Sequence, residues 1–327
     1  MQSGRGHWER GATIVALACL IVPAFIVLWP WLTETQRFGF HDWDVMTSHR
    51  YLAVASLRDH GELPGWNPYA CGGFPAWGYV EGATNVVSPF LPLYWWLDIR
   101  MAIRLEVLGM ALLGAWGSYL AAGTVSESRG ARALVAVLFA TNGRFGLQAA
   151  SGHGWHLAYA ILPWVFYCFE RARVRPLSPR FFAGLAVSFA MLIYAGGIYP
   201  LPHTLLFVGA WAVGLAIIER SARPLVVLSG AGAAGALLAA PKLLPVLAAF
   251  ARAPRVIESN ERLGPGALLT LLVSRQQAFF DRPAAVTPYG WHEWGMYVSV
   301  LGVALLLGGL VFARGSKAWL LKGIAVV

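Results

Sequence analysis

The chain has 327 residues, of which 57% are hydrophobic and 13% charged, and its mean hydropathy is +0.58. Soluble domains carry about a quarter of their residues as charges, so this composition excludes an ordinary soluble globule and points to an all-α polytopic membrane protein. The formal net charge of +9 does not point to nucleic acid, because the arginines sit at the ends of apolar runs and no basic cluster is interleaved with stacking aromatics.

The first apolar run, Ala12 to Leu32, is 21 residues long and is not followed by a small-x-small cleavage pattern. It exceeds a typical signal h-region and reads as a retained signal anchor. A long loop follows, from 33 to 100, where a simple helix connection needs only a handful of residues. Within it, Val45 to His60 predicts an amphipathic helix, with Asp44 as N-cap and Gly61 as the stop. Such a short helix beside a membrane can lie in the interface. Pro89 to Trp96 is aromatic and broken by prolines, as expected of a segment in the headgroup belt.

Further spans are predicted at roughly 101–123, 131–149, 156–170, 181–198, 203–219, 224–244 and 295–313, taking about 20 apolar residues per crossing. A ninth starts at Trp319 and runs to Val327, and it reads as a helix cut short. The chain is thus expected to be a single transmembrane domain of about eight or nine helices, with two long loops at 33–100 and 245–294. The three cysteines, Cys19, Cys71 and Cys168, have no spacing that suits a disulfide framework or a metal knuckle.

Lys and Arg set the orientation. Arg5 and Arg10 precede the first span, and alternate short loops carry Arg129 and Arg132, then Arg171, Arg173, Arg175 and Arg180, then Arg220 and Arg223, then Arg314 and Lys317. The turns 150–155 and 199–202 carry none. The N-terminus is therefore expected to be cytoplasmic and both long loops non-cytoplasmic. That side then receives 11 of the 16 acidic residues and seven of the eight histidines, so the functional chemistry is expected there.

Asp42 and Asp44 lead the candidates. A carboxylate at a membrane surface can act as general base on an acceptor hydroxyl. Two close carboxylates can instead hold a divalent cation against phosphate oxygens. No full ligand set is visible, and the metal question stays open. The plainer alternative makes Asp44 a helix cap and Asp42 a hydrogen-bonded loop residue. His153 and His156 share a tight outer turn, where an HxxH pair suits a metal or a phosphate, or, with no third ligand in sequence, simply an interface. Arg144 lies shortly before them in an apolar run, and it either snorkels or meets an anionic headgroup. Glu293 stands at a membrane boundary beside His292, among tryptophans and tyrosines that an interface attracts in any case. Trp66 and Asn67, inside the first loop, complete the substrate-binding candidates.

After Asp42 comes the block Gly61-Glu62-Leu63-Pro64-x-Trp66-Asn67-Pro68-Tyr69, then Gly72-Gly73-x-Pro75. This pattern resembles the bacterial YfhO-like membrane proteins of the GT-C glycosyltransferase superfamily, and the first block is its specific part. Weaker matches follow in order: Trp155-His156 with Leu162-Pro163-Trp164, Ala195-Gly196-Gly197 with Pro200, and Glu293-x-Gly295-x-Tyr297. The residue before Asp42, usually glycine in the family, is His41 here. The resemblance implies a GT-C-like helical bundle in the bacterial cytoplasmic membrane, with a long outer first loop carrying short interfacial helices. It also implies a sugar donor carried on a polyprenyl phosphate, a glycan, lipid or protein acceptor, and Asp42 as the acceptor base. Two other readings compete: a non-catalytic scaffold or assembly subunit that keeps the fold, and a lipid or solute transporter. Transporters place charges near the midplane on broken helices, whereas the predicted spans look almost free of central charge.

Overall fold

The computed structural model describes residues 18, 21–34, 42–69, 72–79, 86–174, 178–253, 265–274, 295–315 and 318. Helix α1 covers Ile21–Thr33. Helix α2, Trp43–Ala55, continues into a π-helical turn, Ser56–His60, and Gly61 ends it at φ +67°. Glycine takes that left-handed stop without a Cβ penalty. The amphipathic helix predicted from the sequence is thus present, but its N-cap residue is Asp42 rather than Asp44. Asp44 sits in the first turn, where its charge suits the positive end of the helix dipole. A small antiparallel hairpin then pairs β1, Trp66–Asn67, with β2, Phe74–Pro75. Helix α3, Leu93–Trp96, is a single turn.

Helix α4, Ile99–Ala122, starts where the Asp98 side chain accepts a hydrogen bond from the Arg100 amide at 2.9 Å. Its 24 residues extend about 36 Å. Helix α5, Arg129–Ala140, packs along α4. Gly114 permits that approach: a Cβ there would meet the Phe139 ring at 2.1 Å. The order continues with α6 (Gly143–Ala150), a 3-10 segment (Gly154–Ile161), α7 (Leu162–Val174), α8 (Pro179–Tyr194), α9 (Pro200–Glu219), α10 (Arg223–Leu238), α11 (Ala240–Arg252), α12 (Pro265–Val273) and α13 (Ser299–Phe312). The core lies between α4, the 3-10 segment, α7 and α8, where Val107, Ala115, Ala158, Val165, Phe169 and Leu185 are fully buried. At the far end of α7, Arg173 donates to both oxygens of Glu170 at 2.7 and 2.8 Å and to Glu219 of α9 at 2.7 Å. Trp211 of α9 also donates to Glu170, at 2.8 Å.

The chain is mostly helical, and its composition and helices are those of a membrane protein. Among the described residues, two helices are long and apolar enough to cross a bilayer, Ile99–Ala122 and Pro200–Glu219, or three spans if α10 and α11 count as one. That is fewer than the eight or nine predicted: three of the predicted runs contain local breaks, and two others, 181–198 and 295–313, hold helices of 16 and 14 residues. The predicted span 131–149 divides at Asn142, whose side chain caps α6 by accepting from the Phe145 amide at 2.8 Å. The predicted span 156–170 opens as a 3-10 segment before α7. The predicted span 224–244 breaks near Pro241, which stands in the first turn of α11, and the two helices meet at 82°. Proline stops the preceding helix because it lacks the amide donor and crowds the residue before it. Within the predicted loop 245–294, α11 runs on to Arg252 and α12 occupies Pro265–Val273.

Candidate functional site

The site begins with the tight turn after α6. The Asp42 amide donates to the Ser151 carbonyl at 3.0 Å, and the Trp43 indole donates to the Ala150 carbonyl at 3.1 Å. Gly152 makes the contact possible. It has φ +82°, and a Cβ there would lie 2.5 Å from the Trp43 nitrogen and 2.7 Å from the Asp42 carbonyl carbon. The first loop is therefore docked by its backbone onto the turn between α6 and the 3-10 segment.

This docking brings Asp42 to His153. The two side chains meet at 3.2 Å, Oδ2 to Nε2, with His153 4% exposed and Asp42 36% exposed. The other imidazole nitrogen, Nδ1, faces the amide oxygen of Gln148, which is fully buried. Asp42 makes no side-chain bond to the amides of α2, although it occupies the cap position. The carboxylate serves the histidine instead of the helix end.

His156 extends the group. Its Nε2 lies 3.0 Å from an Arg144 guanidinium nitrogen, and its buried Nδ1 has no hydrogen-bond partner. Its ring stacks 5.8 Å from His153 and 5.6 Å from Tyr199. Nearby, the Tyr159 hydroxyl and His203 Nδ1 are 2.5 Å apart. Four residues chosen from the sequence, Asp42, Arg144, His153 and His156, thus form one cluster.

Beside it lies a cavity of about 670 Å³. Gly154, the neighbour of His153, contributes to its wall, as do Leu157, Trp164, Val187 and Met191. Its charged wall residues among those described are Arg50 and Glu106. These are paired at 3.1 Å, and Tyr94 donates its hydroxyl to the other Glu106 oxygen. Burial opposes the Arg50 charge most strongly, but the Glu106 carboxylate and Tyr94 together outweigh it and hold the guanidinium protonated more firmly than usual. A second cavity of about 590 Å³ lies between the hairpin and α11, walled by Phe74, Trp77, Tyr79, Phe250 and Arg252.

Lys242 of α11 is fully buried. It donates to the Trp77 carbonyl at 2.5 Å and lies 4.7 Å from the Trp77 ring centroid. His49 stacks on Tyr79 at 5.6 Å and has a buried Nδ1 without a hydrogen-bond partner. Burial pushes its imidazole below the ordinary value, and the charges of Arg50 and Lys242 push the same way. Glu106, Glu170 and Lys242 lie buried on α4, α7 and α11.

The remaining candidates stand apart. Asp44 is exposed on the first turn of α2. Asn67 is buried in the hairpin, where its side chain accepts from the Tyr69 amide at 2.9 Å, the work of a turn former. Trp66 is about half exposed, and its indole covers Gly73. Glu293 lies outside the described residues. Among the described residues, no three of His, Cys, Asp and Glu gather as ligands for one metal ion. Asp42 is turned to His153 while Asp44 faces out, so the two do not form the cation site considered from the sequence.

Sequence reasoning passed over Gln148 and Glu106, took Arg50 only as a polar position of the amphipathic helix, and left Lys242 between a phosphate contact and a solvated loop face. A signal existed for two of them, since a lone carboxylate or ammonium within an apolar run is costly and therefore informative. Gln148 had no such signal. No family model matches the chain, and no curated protein does.

Proposed function

We propose that the chain is a GT-C-type membrane glycosyltransferase, similar to the YfhO-like proteins. In this reading it moves a sugar from a polyprenyl-phosphate donor to a glycan, lipid or protein acceptor. The reaction takes place on the non-cytoplasmic face of the bacterial cytoplasmic membrane. The observation that carries the reading is a largely apolar cavity of about 670 Å³ beside the turn that holds Asp42. An isoprenoid tail needs an apolar cleft, and its phosphate needs a cation near the outer interface. Arg144, held on His156, supplies that charge. The shorter apolar helices α1, α8 and α13 would complete the bundle around α4, α9 and the bent α10–α11 pair.

In the proposed reaction, Asp42 removes the proton of the acceptor hydroxyl. The acceptor oxygen attacks C1 of the sugar, the bond from C1 to the phosphate oxygen breaks, and polyprenyl phosphate leaves. The configuration at C1 inverts. One base within hydrogen-bond reach suffices for this chemistry.

The test is transfer by the protein in nanodiscs, with radiolabelled polyprenyl-phosphate hexoses as donors. Asp42→Asn is expected to lower transfer at least a hundredfold, because an amide cannot take the proton, while its melting temperature stays within about 2 °C of wild type. Transfer near the wild-type rate in that variant would remove Asp42 from catalysis. Donor binding by the wild type without transfer would favour the scaffold reading. One observation favours transport: α10 and α11 form a broken pair with Lys242 buried beside the break. Flipping of a fluorescent polyprenyl phosphate across liposomes, lost in Lys242→Met, would support that reading instead.

A further inference from the structure

We infer that Gln148 and His153 are positioning residues for Asp42, with the Gln148 amide oxygen locking the His153 ring so that a proton is shared between His153 and Asp42. The inference rests on the reading of Asp42 as the base.

An amide oxygen only accepts hydrogen bonds. Facing Nδ1, the Gln148 oxygen requires a proton on that nitrogen. A neutral imidazole protonated there has a bare lone pair on Nε2. That lone pair would point at a carboxylate oxygen 3.2 Å away. Two lone pairs at that separation repel, and a proton between them turns the contact into a charge-assisted hydrogen bond. The dyad therefore holds one proton more than a lone carboxylate does. It is an imidazolium on a carboxylate, and the second carboxylate oxygen is the one that takes the acceptor proton.

The surroundings fit this assignment. Gln148 is fully buried, and its backbone carbonyl also accepts from the His153 amide at 3.0 Å, so ring and amide are held from one helix end. Trp155 stacks on the His153 ring at 4.9 Å. The charged or titratable groups that face His153 from the packed elements are Asp42 ahead of α2, His156 on the 3-10 segment, and Arg144 of α6 behind His156. Arg144 disfavours a lone imidazolium, and the Asp42 carboxylate is the group that offsets it. In the proposed reaction the pair fixes the rotation of the carboxylate before the acceptor arrives, which is the effect of orienting a base with a second group.

The test is nitrogen NMR of the full chain in nanodiscs, with ¹⁵N-labelled histidine and the His153 signal assigned by its loss in His153→Asn. The expected result near pH 7 is a ring protonated on both Nδ1 and Nε2. A neutral ring protonated only on Nε2 would overturn the inference, and that result requires no variant to fold. Gln148→Met, near in size but without an acceptor, is expected to lower the His153 titration midpoint by about one pH unit or more, as loss of a hydrogen bond to the charged form should. Gln148→Glu keeps an acceptor and should retain the wild-type tautomer. An unchanged His153 signal in folded Gln148→Met would also overturn the inference. If the tautomer is found as expected but no donor gives transfer, the dyad stands and the glycosyltransferase reading falls. If transfer occurs with the opposite tautomer, the reverse holds.

Discussion

Two charged regions occupy the same end of the molecule and behave differently. The Asp42–His153 pair has its carboxylate 36% exposed, and it sits on a backbone-to-backbone docking of two turns. The Arg50–Glu106 pair is sealed, with side chains 11% and 7% exposed, and Tyr94 and the cavity wall close around it. A half-exposed carboxylate can exchange protons and meet a substrate, and the protein loses little by changing it. A sealed pair cannot be changed on one side without leaving an unpaired charge in a low-dielectric site. The first region suits chemistry, and the second holds the first loop to α4.

That contrast can be broken by mutation. The largest effect is expected from Glu106→Leu, which leaves Arg50 buried without its carboxylate and should cost about 3–5 kcal/mol in an unfolding titration in detergent. A cost below about 1 kcal/mol would show that water reaches Arg50. Gly152→Ala comes next. It forces a Cβ into the left-handed region against the Trp43 backbone and should cost about 1–3 kcal/mol. It should also lower transfer further than its stability loss explains, because it lifts Asp42 away from the turn.

A pH effect of intermediate size belongs to His49. Its pKa is depressed from the ordinary 6.5, first by burial and then by Arg50 and Lys242. The unfolded chain therefore takes up this proton more readily than the folded one, and the contribution is complete above pH 6.5 and lost as pH falls below it. The melting temperature should drop between pH 6.5 and 5, and His49→Phe, which can keep the stack on Tyr79, should flatten that part of the curve. An identical slope in the variant would assign the drop to other groups. The smallest effect is expected from Asp44→Ala, about 0.5 kcal/mol from the lost helix-dipole contact, with transfer within about twofold. A severe loss of transfer would return Asp44 to the catalytic group.

Much of the local structure could be read from local signals. The helix after Asp42, its stop at Gly61, and the long α4 and α9 follow from periodicity, glycine chemistry and apolar length. The count of spans could not, because hydropathy sums over a window and is blind to a cap such as Asn142 or a break at Pro241. Arg144, His153 and His156 could be chosen as polar residues at one outer turn, yet nothing in their spacing says that Asp42 meets them.

The sequence by itself determined that this is an apolar helical chain with its acids and histidines gathered at a few turns, because hydrophobicity and turn chemistry act over a few residues. Only the tertiary structure decided which of those groups touch. Arg50 and Glu106 are 56 positions apart, and Lys242 and Trp77 are 165 apart. Gln148 became a partner of His153 only because one turn presents both. Pairings of this kind are set by packing and by the cost of leaving a buried polar group alone, and that cost exists only once the chain has closed around it.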